Sequence, residues 1–285
     1  MQSEIECRDW NSAWRAAMAA SSWLKKGKES WNRRAASFAS NADHKSDYSR
    51  QFLKIIRPRS DWRVLDVGCG PGTIAIPMAP RVAHITALDF SHRMLAILQT
   101  RCAEKNITHI KPVEGDLEDD WQTLGIEPHD VVIASRSFVP VDLSEAITKM
   151  NRFATQQVFI SAPVGIGRFD RRIMAAVGRS FRPGPDYIFI LNQLHGMGIY
   201  ARVDFTVHAF NRTYADHHDA LNSCSWMIPD MTNEEKNRLS QYLKKNLVFR
   251  ENRWFLPDTP PVRWAVISWD IPKRTEKSTG NSHGN

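Results

Sequence analysis

The feature that most constrains the fold of this 285-residue chain is a glycine-rich turn directly after a short apolar segment. Residues 64–67 (Val-Leu-Asp-Val) predict a buried strand, and Gly-Cys-Gly-Pro-Gly follows at 68–72. Glycines let a backbone approach a ligand closely because no Cβ intervenes and positive φ costs little. A strand, such a turn and then a helix are typical of a nucleotide site in an α/β sheet. Thr73 stands where the dinucleotide pattern needs glycine, so the turn favours a cofactor without a pyrophosphate.

Two acidic residues follow the turn at the ends of the next predicted strands. Asp89 lies 21 residues after Gly68, where a carboxylate can accept hydrogen bonds from ribose hydroxyls. Asp116 follows the third strand, where it could accept a hydrogen bond from an adenine amino group. Apolar walls for the ring would come from Phe90, Met94 and Leu117. Taken singly, each acid could serve a turn or a helix start, but their joint order favours a nucleoside site.

Short apolar segments alternate with amphipathic helices from residue 61 onward, and residues 1–60 are predicted to be helical. This alternation predicts a parallel sheet with helices on both faces. The predicted strands are 63–67, 85–88, 110–113, 131–134, 158–160, 203–207 and 262–269. Ser91, Asp142 and Thr232 are predicted to start helices, the last two with a glutamate three residues on.

Three segments together resemble the class I S-adenosylmethionine-dependent methyltransferases. They are VLDVGCGPGT, ALDFSHRML and EGDLED, and the resemblance covers roughly residues 61–160. It implies S-adenosyl-L-methionine as cofactor. It also implies a doubly wound, Rossmann-like α/β fold with a mostly parallel seven-stranded sheet whose last strand, 262–269, is antiparallel. The expected organisation is an N-terminal helical cap (1–60), a methyltransferase domain (61–272) with a substrate-side helical insertion at about 165–255, and a disordered tail (273–285).

The resemblance also implies roles for individual residues. Gly68, Gly70 and Gly72 would pass under the methionine part, Asp89 would bind ribose, and Asp116 with Leu117 would meet adenine. A segment at 31–38 resembles the part that closes over the cofactor in small-molecule members. The full predicted cofactor set is Trp31, Phe38, Asp66, Gly68, Cys69, Gly70, Gly72, Asp89, Phe90, Met94, Asp116, Leu117 and Ser135.

The residues at the end of the fourth strand exclude several subclasses of methyltransferase. Residues 131–138 lack the Asn/Asp-Pro-Pro-aromatic motif of base-amine and glutamine methyltransferases, and no cysteine follows a proline as in cytosine-C5 enzymes. Ser135, Arg136 and Ser137 offer no carboxylate for magnesium, so we expect no metal. Arg136 either binds an anionic substrate group or pairs with an acid such as Asp142. No catalytic residue is assigned. His195 and Tyr200 are either candidates for a general base near the substrate or satisfied core residues, and Arg136 and His195 are the candidates for substrate binding.

Two further features keep alternatives open. The tryptophans at 10, 14, 23 and 31 either form an aromatic lid over a substrate or pack the N-terminal helices onto the domain. The arginines at 168, 171, 172, 179 and 182 either meet substrate or form a solvated basic face.

Composition separates the remaining classes of function. No window approaches 18 consecutive apolar residues, which argues against a membrane helix. Four widely spaced cysteines argue against zinc and disulfide frameworks and fit a cytoplasmic protein. The first hypothesis is methyl transfer to an O, N or S atom of a small molecule, with anions among the candidates. The alternatives are an RNA or protein methyltransferase, which the net charge of +7 would suit, and a non-catalytic cofactor-binding regulator.

Overall fold

The computed structural model describes residues 9–21, 27–41, 47–167, 170–208, 213–225, 228 and 230–272. The predicted tail, Trp23 and Arg168 lie outside these residues. The strands are β1 Arg63–Val67, β2 His84–Asp89, β3 Ile110–Glu114, β4 His129–Ser135, β5 Ala154–Pro163, β6 Arg202–His208, β7 Thr213–Tyr214, β8 Val248–Arg250, β9 Arg253–Phe255 and β10 Val262–Asp270. The helices are α1 Trp10–Ala20, α2 Lys28–Asn41, α3 Asp47–Ile56, α4 Ala75–Met78, α5 His92–Glu104, α6 Leu143–Phe153, α7 Arg171–Val177, α8 Tyr187–Gly196, α9 His217–Ser225 and α10 Asn233–Asn246, with a 3-10 turn at Ala79–Arg81.

Seven strands form one sheet in the order β3-β2-β1-β4-β5-β10-β6. Strands β1 to β5 pair in parallel, whereas β10 runs antiparallel to both β5 and β6. The order reverses between β1 and β4, which is where open α/β sheets leave a crevice for ligands. The predicted fold class is confirmed, and each predicted strand lies within or on an observed one.

The sheet carries a hydrophobic core on each face, as its apolar strands require. On one face α3 and α5 pack Phe52 and Leu98 against Val64 of β1. On the other face α1, α6 and α8 pack around Leu65 and Val67 of the same strand. Alternate residues of β1 therefore supply both cores, because successive strand side chains point to opposite faces.

Helix starts follow the predicted caps. The Ser91 side chain accepts a hydrogen bond from the Met94 backbone N–H at the start of α5. Asp142 does the same for the Glu145 N–H at the start of α6. Thr232 and Glu235 form a reciprocal capping box at α10. These three predictions are confirmed, because local hydrogen bonding sets a helix start largely independently of the rest of the fold.

A smaller unit has its own core, which the sequence analysis did not foresee. Helices α7, α9 and α10 pack together with a three-stranded sheet in the order β7-β9-β8. Its strands have only two or three residues, too few for a periodic pattern. Between α7 and α9, β6 joins the main sheet and α8 packs on the main core. The segment 165–255 is therefore two separate blocks in space.

Helix α7, Arg171–Val177, covers only part of the stretch that contains the arginines from 168 to 182. Asp170 caps its start, and Gly178 ends it with a φ of 80°. A left-handed residue after the last turn is a common helix stop because glycine adopts it without strain. None of the helices in the described ranges is long and apolar enough to cross a membrane.

Candidate functional site

A cavity opens at the carboxyl ends of β1, β2 and β4, where the strand order reverses. All the predicted cofactor residues except Gly72 line it. Arg136 lines it as well, next to walls from α1 and from the segment 181–185. Residues that were not predicted also line it, among them Phe138, Val139, Phe181, Ile190 and Trp264. The sequence could not identify them, because an apolar residue looks the same whether it faces a core or a cavity; only Phe181 lies next to a distinctive segment, the Pro-Gly-Pro at 183–185.

The glycine turn contains three left-handed glycines that serve different purposes. Their φ angles are 69° at Gly68, 55° at Gly70 and 84° at Gly72. A Cβ at Gly68 would lie 2.4 Å from the Ser137 Cβ. A Cβ at Gly72 would lie 2.6 Å from the Leu98 Cδ1. Real Cβ atoms do not approach that closely, so both positions need glycine for packing.

Gly70 is the glycine with an open face. A Cβ there would meet only the Phe38 Cε1, at 3.9 Å, and the residue lines the cavity. The expectation that all three glycines pass under a ligand is therefore corrected for Gly72. That residue lies off the cavity because the first turn after the loop must pack against α5.

Asp89 is buried at the end of β2, and backbone groups hold its carboxylate. Its Oδ2 accepts a hydrogen bond from the Gly70 N–H at 2.8 Å, and its Oδ1 accepts one from the Ser91 N–H at 2.8 Å. Each oxygen keeps a further lone pair. Burial, opposed by these hydrogen bonds, raises the pKa of Asp89 to about 6. The carboxylate thus joins the glycine turn to the start of α5 and faces the cavity.

Asp66 is a second buried carboxyl group at the cavity, and its oxygen Oδ2 has no hydrogen-bond partner in the described part of the chain. Only 1% of the residue is exposed. Burial, reinforced by the charge of Asp89, raises the pKa of Asp66 to about 7. A buried oxygen without a partner is costly, so this atom has the character of a ligand acceptor.

The far end of the cavity combines one acid with apolar side chains. The Asp116 Oδ1 accepts a hydrogen bond from the Leu117 N–H at 2.6 Å, and the Trp121 Nε1 donates to the Asp116 carbonyl at 3.0 Å. Met94 and Leu117 are buried and Phe90 is half-buried. This is the combination that the sequence predicted for an adenine ring, and its role stays a prediction.

The N-terminal helices cover the cavity. In α1, the Trp14 Nε1 donates to the Pro140 carbonyl at 2.9 Å, and its ring lines the cavity. In α2, Trp31 and Phe38 make an edge-to-face contact with ring centroids 5.5 Å apart. Trp10 instead packs edge-on against Phe189. Trp14 and Trp31 thus line the cavity, as a lid would require, whereas Trp10 packs an N-terminal helix onto the domain; the lid itself stays a prediction.

Arg101 fastens α2 to the glycine turn. Its Nη1 donates to the Pro71 carbonyl at 2.9 Å, and its Nη2 donates to the Ala39 carbonyl at 2.6 Å. One side chain of α5 thus holds both the end of α2 and the loop that the cofactor would contact.

The pairing of Arg136 with Asp142 that the sequence allowed is wrong. The Asp142 Oδ2 accepts from the Asn11 Nδ2 at 2.8 Å and lies 3.5 Å from the Arg15 Nη1. The Arg136 guanidinium instead lies over the Tyr48 ring, 4.0 Å from its centroid. No ion pair of Arg136 occurs within the described ranges. Burial lowers the pKa of Arg136.

The expectation of a substrate-side role for His195 and Tyr200 is also corrected. Both are exposed, Tyr200 to 83%, and neither lines the cavity. Their rings contact each other, with centroids 5.8 Å apart. Helix α8 turns Ile190 and Leu194 inward, and the helical period points His195 away from that face.

Two arginines of the basic stretch after β5 form ion pairs, and Arg171 and Arg182 are exposed. Arg172 binds Asp170 at 2.7 Å, and Arg179 binds Glu235 at 2.6 Å. Neither arginine lines the cavity. Within the described ranges, no group of three or more His, Cys, Asp and Glu side chains is placed to hold a metal ion.

Comparisons with known proteins agree with this geometry. Residues 64–157 match a family model described as a methyltransferase domain. A Haemophilus influenzae protein described as uncharacterized is 29% identical over 250 residues, which cover 85% of this chain and 89% of that protein. A malonyl-[acyl-carrier protein] O-methyltransferase of Bacillus cereus is 32% identical over 117 residues, which cover 38% of this chain and 40% of that enzyme.

A solved structure shows the same fold. A Bacillus halodurans C-125 protein, assigned provisionally as a methyltransferase, superposes with a TM-score of 0.55 at 16% identity. The match covers 80% of this chain and 100% of that one. The motifs, the sheet order and these relatives together identify residues 64–157 as a methyltransferase domain of the class I S-adenosylmethionine-dependent type.

Proposed function

We propose that the protein transfers a methyl group from S-adenosylmethionine to an O, N or S atom of a small molecule. The observation that carries this proposal is a cavity whose lining combines two unlike sets of residues. One set is the glycine turn with Asp66 and Asp89. The other set is apolar side chains with one arginine, Arg136. A cofactor and an acceptor would thus meet in one cavity.

The residues present fit the cofactor. The unpartnered Oδ2 of Asp66 suits the ammonium group of an amino acid, since a buried carboxylate favours a cationic partner. Gly70 leaves its face open to the ligand, and the lone pairs left on Asp89 suit ribose hydroxyls. Asp116 and its apolar neighbours suit adenine. When bound, S-adenosylmethionine supplies a methyl group already activated on a sulfonium.

Because the methyl group is activated by its carrier, the chain mainly has to orient the acceptor and exclude water. Orientation alone can contribute several kcal/mol to the barrier reduction. Trp14 and Met18 from α1 close one side of the cavity, and Phe181 and Ile190 close another. These apolar walls keep bulk water from the reacting atoms.

The surroundings of the cavity favour a small acceptor over a macromolecule. Arg172 and Arg179, which could have met a nucleic acid backbone, are paired with acids instead. The Bacillus cereus relative is an O-methyltransferase, which supports oxygen as one acceptor atom. That enzyme's match spans less than half of its length, so its substrate is not carried over.

The test is a methyl-transfer assay with labelled S-adenosylmethionine. Separate reactions would contain a small-molecule extract of bacterial cells, total RNA, or total protein. We expect label in the small-molecule reaction, lost in Asp89→Ala and kept in the surface control Arg81→Gln. Label in RNA alone, at a rate that falls steeply with salt, would indicate the RNA alternative. Binding of S-adenosylhomocysteine without transfer to any fraction would indicate the regulatory alternative.

A further inference from the structure

We propose that Arg136 is the receptor for a negative group on the methyl acceptor, so that the acceptor is a carboxylate or phosphate with an apolar body. This inference rests on the proposed function and names the substrate class of the same cavity.

Arg136 has no counter-charge among the described residues. Arg136 lies half-buried in the cavity wall. The nearest candidate acid in sequence, Asp142, is used by Asn11, Arg15 and the start of α6. A partly desolvated cation without a partner destabilises a protein. A ligand with a negative group would supply the missing partner when it binds in the cavity, which explains why an arginine without an ion pair lines it.

Two aromatic rings hold the Arg136 guanidinium in place, and within the described part of the chain its N–H groups donate no hydrogen bond. It lies 4.0 Å from the Tyr48 ring centroid and 6.0 Å from that of Trp264. Cation–π contacts fix the plane and leave the N–H groups at its edge available. The backbone φ of Arg136 is 63°, which is rare for a residue with a side chain. Its N–H donates to the Ser161 carbonyl at 3.3 Å.

A chain of hydroxyl groups lies beneath the arginine. Tyr48 donates its one hydroxyl proton to the Ser161 Oγ at 2.8 Å. The contact of 2.7 Å between the Tyr48 hydroxyl and the Ser135 Oγ must then be donated by Ser135. This leaves the Ser161 proton as a free donor, and Ser161 lines the cavity. An anion at Arg136 would thus meet a second donor from the neighbouring strand.

The rest of the wall indicates the body of the acceptor. Trp14, Met18, Phe138, Phe181 and Ile190 are apolar and line the same cavity. A ligand that satisfies both parts is an organic anion rather than a sugar or a polyamine. Arginine suits both a carboxylate and a phosphate, because its fork donates two parallel hydrogen bonds.

The experiment divides the cell extract by charge. The small-molecule extract is passed over anion-exchange resin, and both the flow-through and the salt eluate are desalted and assayed for labelled methyl transfer. We expect the acceptor in the eluate and none in the flow-through. Treating the eluate with a phosphomonoesterase identifies the source, since a phosphate monoester loses acceptor activity and a carboxylate keeps it. Acceptor activity confined to the flow-through would overturn the inference.

Variants test the residue itself. Arg136→Gln should raise the KM for the eluate acceptor by roughly 10- to 100-fold, the scale for losing a charge-assisted hydrogen bond. Arg136→Lys keeps the charge but loses the fork, so its KM should be intermediate. Arg81→Gln, at the exposed turn before β2, should leave the KM unchanged. Melting temperatures of the variants check that each one folds.

Two further outcomes separate this inference from the proposed function. Affinities for S-adenosylhomocysteine and for methylthioadenosine, which lacks the amino acid part, are measured in wild type and Arg136→Gln. We expect neither to change. If only S-adenosylhomocysteine binds more weakly, Arg136 serves the cofactor carboxylate and the inference is wrong. If no fraction is methylated, the proposed function fails and the inference fails with it.

Discussion

Asp66 and Asp89 line the same cavity, but the fold compensates the burial of their carboxyl groups to different extents. Both carboxyl groups are buried, and burial raises the pKa of Asp66 to about 7 and of Asp89 to about 6. Asp89 is compensated by two backbone N–H groups, whereas one oxygen of Asp66 has no partner in the described part of the chain. The two acids therefore respond differently to substitution.

Replacing Asp66 by asparagine should stabilise the apo protein and weaken cofactor binding. A carboxyl group whose pKa rises from 3.8 to about 7 on folding destabilises the ionised protein by at most about 4 kcal/mol. Asparagine removes that charge at almost the same volume. Thermal melting at pH 8 and calorimetric titration with S-adenosylhomocysteine measure the two effects. Glu104→Gln, an exposed acid, is the control, and a variant with unchanged affinity would contradict the assignment of Asp66.

Asp89→Ala should weaken cofactor binding by about 1.5–3 kcal/mol, the scale of lost charge-assisted hydrogen bonds. It should also destabilise the apo protein, because it leaves the Gly70 and Ser91 N–H groups without their acceptor. Asp89→Asn keeps one acceptor oxygen, so its cofactor affinity and its stability should lie between those of wild type and Asp89→Ala. Calorimetry and melting curves would be compared, and an affinity equal to that of wild type would exclude a role in ribose binding.

At the scale of elements, α1 and α2 cover the cavity by different attachments. Helix α1 is fixed to the start of α6 through Asn11 and to the β4–α6 connection through Trp14. Helix α2 is fixed by Arg101, and it brings Trp31 and Phe38 to the cavity. Because those two rings line the cavity and Phe38 lies next to Gly70 of the glycine turn, α2 is the element whose stability should depend most on the proposed cofactor.

Hydrogen exchange with and without S-adenosylhomocysteine tests this cap. Amides of residues 28–41 should exchange more slowly when the ligand is bound, because the rings of α2 would then pack against it. Helix α10 belongs to the separate core and serves as the internal control. Equal protection of 28–41 in both states would mean that α2 is a permanent part of the domain and no cofactor-dependent cap.

At the scale of the whole molecule, one sheet with two packed faces supports the cavity at the point where its strand order reverses. The third core, around Leu239 and Leu243, stands apart. Asp66 and Asp89 line this cavity. Their ionisation should therefore change the stability of the main domain and not that of the third core.

Cofactor affinity should rise with pH through the window set by Asp66. With a pKa of about 7, the ionised fraction is roughly one tenth at pH 6 and nine tenths at pH 8. If the ionised form binds the ligand ammonium group, the Kd for S-adenosylhomocysteine should be about tenfold lower at pH 8 than at pH 6. The stability of the apo protein should move oppositely, because between pH 4 and 7 the folded acid binds more protons than the unfolded one. Asp66→Asn should weaken both dependences and leave the part that titrates with Asp89, whose pKa is about 6. A Kd independent of pH in the wild type would contradict the mechanism.

Local signals were enough to predict the strands and the caps at Ser91, Asp142 and Thr232, whereas the antiparallel direction of the last strand was predicted from the family resemblance. The strands and caps depend on apolar runs and on hydrogen bonds between residues three or four positions apart, which a sequence displays directly. The glycine turn with Asp89 and Asp116 was equally visible, since parallel strands bring their carboxyl ends to one edge. The structure places these residues around one cavity, as the motif order indicated.

Only the tertiary structure decided which groups each side chain contacts. The sequence left Asp142 available to pair with Arg136, but in the structure Asn11 and Arg15 of α1 contact its carboxylate. The helical period of α8 turned His195 outward, and close packing against α5 gave Gly72 a role unrelated to any ligand. Tyr48, Ser161 and Trp264 come from distant parts of the chain and meet Arg136 only in the folded sheet. The sequence by itself therefore determined the fold and the cofactor motifs, because both are local patterns, whereas the charge that an acceptor would meet was decided by long-range contacts.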